Sequence, residues 1–156
     1  MRRLLLLLAA AFCAAACSTS TSLSPLPDLS LPTVAGGASA PLSACNTAKC
    51  LKVYLTPWCP HCREAGPWVV KLKDLLAKKG VAVDVIVGQD QPDALLAYAR
   101  QFGPDTLIDR APAVRVNGVP HFFSLDGRGR LIKDVSGFPA GYRGTTAELA
   151  AYFGLL

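Results

Sequence analysis

The stretch that most constrains this chain runs from Leu51 to Val70 and reads LKVYLTPWCPHCREAGPWVV. Leu51-Lys52-Val53-Tyr54-Leu55 has the apolar, β-branched and aromatic make-up of a strand, and it stops at Thr56-Pro57. Trp58-Cys59-Pro60-His61-Cys62 comes next and leads into residues with helical spacing. Two cysteines three apart at the start of a helix stand about one turn apart, near enough to close a small disulfide ring. Pro60 suits the first helical turn, where its missing N–H costs nothing. Cys59 is therefore expected where free backbone N–H groups and the positive end of the helix dipole favour a thiolate. This makes Cys59 the attacking sulfur and Cys62, half buried one turn on, the resolving one. His61 is expected to place positive charge or a hydrogen bond beside the Cys59 sulfur, favouring the dithiol and so making the pair an oxidant. A structural disulfide and half a zinc site are the alternatives, and the strand–turn–helix context favours redox exchange.

A chain of 156 residues, half of them hydrophobic, is long enough for one domain with a proper core. The net charge of +5 includes Arg2 and Arg3, and the remaining basic residues are scattered, so nothing points to nucleic acid. Six cysteines suit an exported protein better than a cytosolic one.

The start of the chain agrees. Met1-Arg2-Arg3 is a basic segment, and Leu4 to Ala16 an apolar one too short to anchor across a bilayer. Ala14-Ala15-Ala16-Cys17 resembles the lipobox of bacterial lipoproteins, although Ala14 stands where Leu is usual. The expectation is a lipoprotein-type signal peptide over 1–16, with Cys17 carrying the lipid; an ordinary cleaved signal is the alternative. Residues 17–44 are rich in Ser, Pro, Ala, Leu and Thr, with Asp28 the only charge, and read as a flexible tether whose leucines can touch the domain. The expected location is the bacterial cell envelope, lipid-anchored and facing the periplasm or the exterior.

Cys45 and Cys50 bracket a turn just ahead of the first strand, a size that a disulfide can close, and export favours one. A zinc site built from cysteines 45, 50, 59 and 62 would lock the active thiols, and a second redox pair is the other possibility. Beyond Pro60 the helix carries Trp68, Val69, Leu72, Leu75 and Leu76 on one face, with Pro67 inside it and Gly80 at its end. Residues 81–87 form a strand, Gln91-Pro92 opens a second helix, and residues 105–116 make a less regular connection. Residues 116–125 and 130–135 pair as a hairpin across a Gly-rich loop, and Thr145 to Glu148 is a capping box that starts a last helix.

The predicted order is β-α-β-α-β-β-α, an α/β domain over 45–156 with a central mixed sheet flanked by helices. It resembles the thioredoxin fold, and the chain is similar to exported thioredoxin-like thiol:disulfide oxidoreductases of the DsbA and TlpA kinds. Four local features carry the resemblance. Trp58-Cys59-Pro60-His61-Cys62 matches the active site, and its Pro-His pair is that of DsbA-type oxidants. Pro67 matches a helix proline, Gly118-Val119-Pro120 a cis-proline motif facing the disulfide, and Gly137 a glycine past the last strand. The resemblance implies that Pro120 is cis, that Val119 offers backbone groups to an extended client, and that Trp58 lines the substrate site. Val53 departs from thioredoxin, which has a buried acid there, and His121 stands where Thr is common and receives no role.

The expected activity is exchange of a Cys59–Cys62 disulfide with cysteines of client proteins, in the oxidising direction, with no cofactor beyond the cysteine pair. An envelope redox partner completes the cycle. The alternatives are a reductase or isomerase of the cytochrome c maturation type, and a metal-binding module using Cys59, Cys62 and His61.

Overall fold

The computed structural model describes residues 24–139 and 142–156. The expected signal peptide, the lipid-bearing Cys17 and the first part of the tether lie outside the described residues.

Lys49–Leu55 forms β1, buried from Cys50 to Leu55, because it runs through the middle of the sheet with both faces covered. After a short loop comes α1, Pro60–Lys78, whose Cys62, Ala65, Val69, Leu72 and Leu76 recur at helical spacing and face the core. Trp68 and Leu75 lie partly buried at the margin of that face. Gly80, at φ 70°, turns the chain into β2, Ala82–Gly88. Then follow α2, Pro92–Ala99, with a 3₁₀ turn at Arg100–Phe102, and the three-residue β3, Leu107–Asp109. β4, His121–Asp126, and β5, Leu131–Ser136, make the hairpin, and α3, Thr146–Tyr152, ends the fold. The capping box is present as expected: Glu148 N–H donates to the Thr145 hydroxyl, and Thr145 N–H to the Glu148 carboxylate.

The strands lie in the order β3-β2-β1-β4-β5, with β1, β2 and β3 parallel and β4 and β5 antiparallel to their neighbours. The sheet is mixed, as expected, and gains β3 from the stretch read as an irregular connection. Three residues are too few for a periodic signal. The strand expected from residue 116 begins only at His121, because the Gly118–Pro120 segment is a loop. All three helices contribute to one apolar cluster on one face of the sheet, which joins Leu51, Val53, Leu55 and Phe122 to Val69, Leu72, Leu95 and Phe153.

The other face is covered by chain expected to be tether. Residues 24–44 lie on the domain instead: Leu26, Leu31 and Leu42 are buried with Tyr54, Ile86, Leu107 and Phe123. Thr33 pairs with Leu107 as an antiparallel bridge, and the N–H of Ile108 donates to the Pro32 carbonyl at 2.8 Å. This strap thereby satisfies the outer edge of β3, which is otherwise a row of unpaired backbone groups. Composition misled here because Ser, Pro and Ala dominate the count, while three leucines supply the burial. Replacing Leu42 with Ala is expected to cost about 2–5 kcal/mol, the range for a buried leucine. Urea denaturation checks this; a tether would leave the midpoint unchanged. Among the described residues no helix is long and apolar enough to cross a membrane.

Candidate active site

Four segments converge at the C-terminal end of β1. Cys59 occupies the N-cap of α1 with φ −78° and ψ 120°, its carbonyl accepting the Arg63 N–H at 3.2 Å, and Pro60 takes the first helical position. Cys59 thus stands at the positive end of the helix, as expected, although its side chain makes no cap hydrogen bond to the first-turn N–H groups. Both Cys59 and Cys62 carry free thiols; Cys59 is 5% exposed and Cys62 fully buried.

The two sulfurs meet different partners. The Cys59 thiol donates to the Val119 carbonyl at 3.6 Å, so the loop before β4 lies directly over the outer sulfur. The Cys62 sulfur accepts from the backbone N–H of Thr56 at 3.4 Å and meets the Thr56 hydroxyl at 3.8 Å. Burial pushes the Cys62 thiol up to about 12, against the opposing pull of the two Thr56 contacts, with neighbouring Cys59 adding to the rise. The Tyr98 hydroxyl, itself pushed up chiefly by burial and then by Cys62, donates to the Cys62 carbonyl at 2.8 Å. Val53 is buried in the same cluster as Cys62, so an apolar side chain stands where thioredoxin has its acid.

The remaining expected residues fall as follows. The Val119-Pro120 peptide is cis, and the Pro120 carbonyl accepts the Gly137 N–H at 2.7 Å, which ties two of the sequence motifs together. Trp58 is 55% exposed beside Cys59, its indole N–H donating to the Gln89 carbonyl at 3.0 Å. His61 has a carboxylate neighbour that the sequence reading did not include. Its exposed ring lies with Nδ1 3.7 Å from the carboxylate of Glu64, an i,i+3 neighbour. Cys45 and Cys50 are joined as a disulfide with Cα atoms 5.7 Å apart, at the opposite end of β1 from Cys59. That separation removes the four-cysteine zinc alternative. Among the described residues no three His, Cys, Asp or Glu side chains group as a metal site.

Sequence reasoning missed Thr56 and Tyr98. Thr56 served only as the end of a strand, and nothing in its identity announces a donor to a sulfur six residues on. Tyr98 had one usable signal, a hydroxyl-bearing aromatic on the half-buried side of α2.

No protein-family model matches the chain, and no curated protein matches it in sequence. Solved structures do match. A secreted Mycobacterium tuberculosis disulfide oxidoreductase homologous to E. coli DsbE aligns over 83% of this chain and 96% of its own, with TM-score 0.65 and 18% identity. A putative thiol:disulfide interchange protein DsbE from Chlorobium tepidum aligns over 82% and 94%, with TM-score 0.66 and 22% identity. The chain has the thioredoxin fold. StoA from Bacillus subtilis is similar over 80% of this chain and 94% of its own, with TM-score 0.63 and 16% identity. The matches cover nearly all of each neighbour, so this thioredoxin fold lacks no large part of theirs. At such identities the likeness speaks for the fold, and the chemistry rests on this chain's own residues.

The geometry lends itself to one kind of reaction. A sulfur at a helix N-terminus meets a loop carbonyl next to an exposed Trp, while a second sulfur one turn on is fully buried. An incoming disulfide can be attacked by Cys59, which forms a mixed disulfide and expels the client's other sulfur as a thiolate. Cys62 can then attack Cys59, closing the Cys59–Cys62 disulfide and releasing the client's remaining thiol. The reverse sequence oxidises a client dithiol.

Proposed function

We propose that the chain is a thiol:disulfide oxidoreductase that exchanges the Cys59–Cys62 couple with cysteines of client proteins outside the cytoplasm. The observation that carries this reading is the asymmetry of the pair: Cys59 lies at the mouth beneath the Val119 carbonyl, and Cys62 is fully buried against Thr56. A purely structural disulfide has no use for a docking loop over one sulfur. The neighbours described as disulfide oxidoreductase and thiol:disulfide interchange proteins support the same chemistry, and one of them is described as secreted. Export over residues 1–16 and lipid attachment at Cys17 belong to this proposal, as do an envelope redox partner and anchoring through that lipid.

A second reading concerns direction. The oxidant expectation rested on His61 stabilising the reduced pair, and His61 is turned toward Glu64. Reduction or isomerisation of client disulfides by a pair kept reduced is the alternative direction, favoured where the His61 charge is spent on Glu64 and not on the sulfur. Neighbours described as DsbE, or as homologous to DsbE, also favour this reading over the one drawn from the Pro-His dipeptide. The insulin assay tests the activity. In dithiothreitol the protein is expected to hasten precipitation of the released B chain; a rate no faster than dithiothreitol alone would contradict the proposal.

A further inference from the structure

His121, left without a role by sequence, is 4% exposed, and both of its ring nitrogens meet acceptors. Nδ1 faces the Gly118 carbonyl at 3.2 Å and, since a carbonyl only accepts, donates to it. Nε2 lies 2.5 Å from Asp134 Oδ1 on β5, and the ring packs on Phe123 with centroids 4.4 Å apart. The ring is thus held from two sides and closes a four-residue turn, Gly118-Val119-Pro120-His121. Inside that turn is the Val119 carbonyl that lies 3.6 Å from the Cys59 sulfur. β5 supports the same turn elsewhere. A Cβ on Gly118 would come within 2.5 Å of the Ser136 hydroxyl, so Gly118 is pressed against the strand that also carries Asp134.

We infer that His121, steadied by Asp134, is a positioning residue that fixes the Val119 backbone over Cys59 so that a polypeptide disulfide docks in register with the attacking sulfur. This deepens the exchange reading and rests on it. His121 acts through Gly118 and Val119 and does not touch the sulfur. Its effect belongs to substrates with a peptide backbone, because only these use the loop's hydrogen-bonding groups. A small disulfide needs only the sulfur.

The test follows single-turnover kinetics of the reduced full-length protein with two probes, the signal of Cys59→Ser being subtracted, and KM here is the half-saturating probe concentration. One is a short peptide whose single cysteine is disulfide-bonded to thionitrobenzoate; the other is 5,5′-dithiobis(2-nitrobenzoate). In each, the Cys59 thiolate forms a new S–S bond to the probe, the old S–S bond breaks, and thionitrobenzoate leaves with the electron pair, giving a visible signal. For His121→Ala the peptide KM is expected to rise about tenfold, the scale of one buried hydrogen bond to an ordered group, so that the peptide loses against the small probe by that factor. His121→Asn places its amide N–H near the Nδ1 position and should restore most of the peptide KM. His121→Gln reaches toward Asp134 and should not. Asp134→Ala, at a half-exposed site that carries little folding risk, should raise the peptide KM several-fold. Equal losses on both probes, or no difference between Asn and Gln, would overturn the inference while leaving the exchange reading intact. A wild-type protein inert to both probes would overturn the exchange reading, and this inference with it.

Discussion

Cys59→Ser is expected to lower disulfide exchange by about six orders of magnitude, the scale seen when a covalent nucleophile is removed. Cys62→Ser should leave the first attack intact. The reason lies in what each sulfur touches. Cys59 sits at the N-cap, with its side chain at the mouth under Val119, whereas Cys62 is fully buried and bonded to Thr56. A serine hydroxyl at 59 cannot form the mixed disulfide at all. A serine at 62 keeps the size of the site and an acceptor for the Thr56 N–H, so the variant should fold and attack but be unable to release its client. Non-reducing mass spectrometry of protein mixed with a disulfide client should therefore show a lasting adduct with Cys62→Ser and none with Cys59→Ser. Equal adducts from the two single variants would mean that the roles are not divided as the burial implies.

The second large effect is on alkaline stability of the reduced protein. Burial raises the Cys62 thiol from 9.0 to about 12, so the native state holds this proton more tightly than the unfolded chain does. The stabilisation this gives is complete below about pH 9. It is lost progressively between pH 9 and about 12, because the unfolded thiol ionises first and the native one follows. Denaturation midpoints of the reduced protein are expected to fall across that window, and those of Cys62→Ser to fall less. Parallel curves for the two proteins would show that Cys62 is not the group responsible. The same burial predicts that iodoacetamide modifies Cys59 well before Cys62 at neutral pH, since the thiolate is the reacting form.

How much of this was readable in advance depended on whether the signal was local. The strand, the Cys-Pro-His-Cys turn, the capping box at Thr145 and the cis-proline of Gly118-Val119-Pro120 are each written in a few adjacent residues, and each appears in the structure. The Cys45–Cys50 disulfide is local too. What escaped depends on tertiary placement. Leu26, Leu31 and Leu42 lie in a polar, proline-rich background, and only the uncovered side of the sheet makes them core. His61 was expected on the sulfur because it stands between the cysteines, yet an exposed helix side chain also has its i+3 neighbour, Glu64, within reach. His121 acquires its partners from Gly118 and from β5, an arrangement that a strand position alone does not announce.

The central claim is that Cys59 and Cys62 form the working redox couple while Cys45–Cys50 stays closed. Equilibrating the full-length protein in glutathione buffers, then alkylating and mapping the free thiols, tests it most directly. The account predicts one two-electron transition confined to residues 59 and 62. With His61 directed at Glu64, its midpoint should lie nearer the thioredoxin end of the known range, about −270 mV, than the strong-oxidant end, about −120 mV. A transition carried by Cys45 and Cys50, or a Cys59–Cys62 pair that does not titrate across that range, would contradict it.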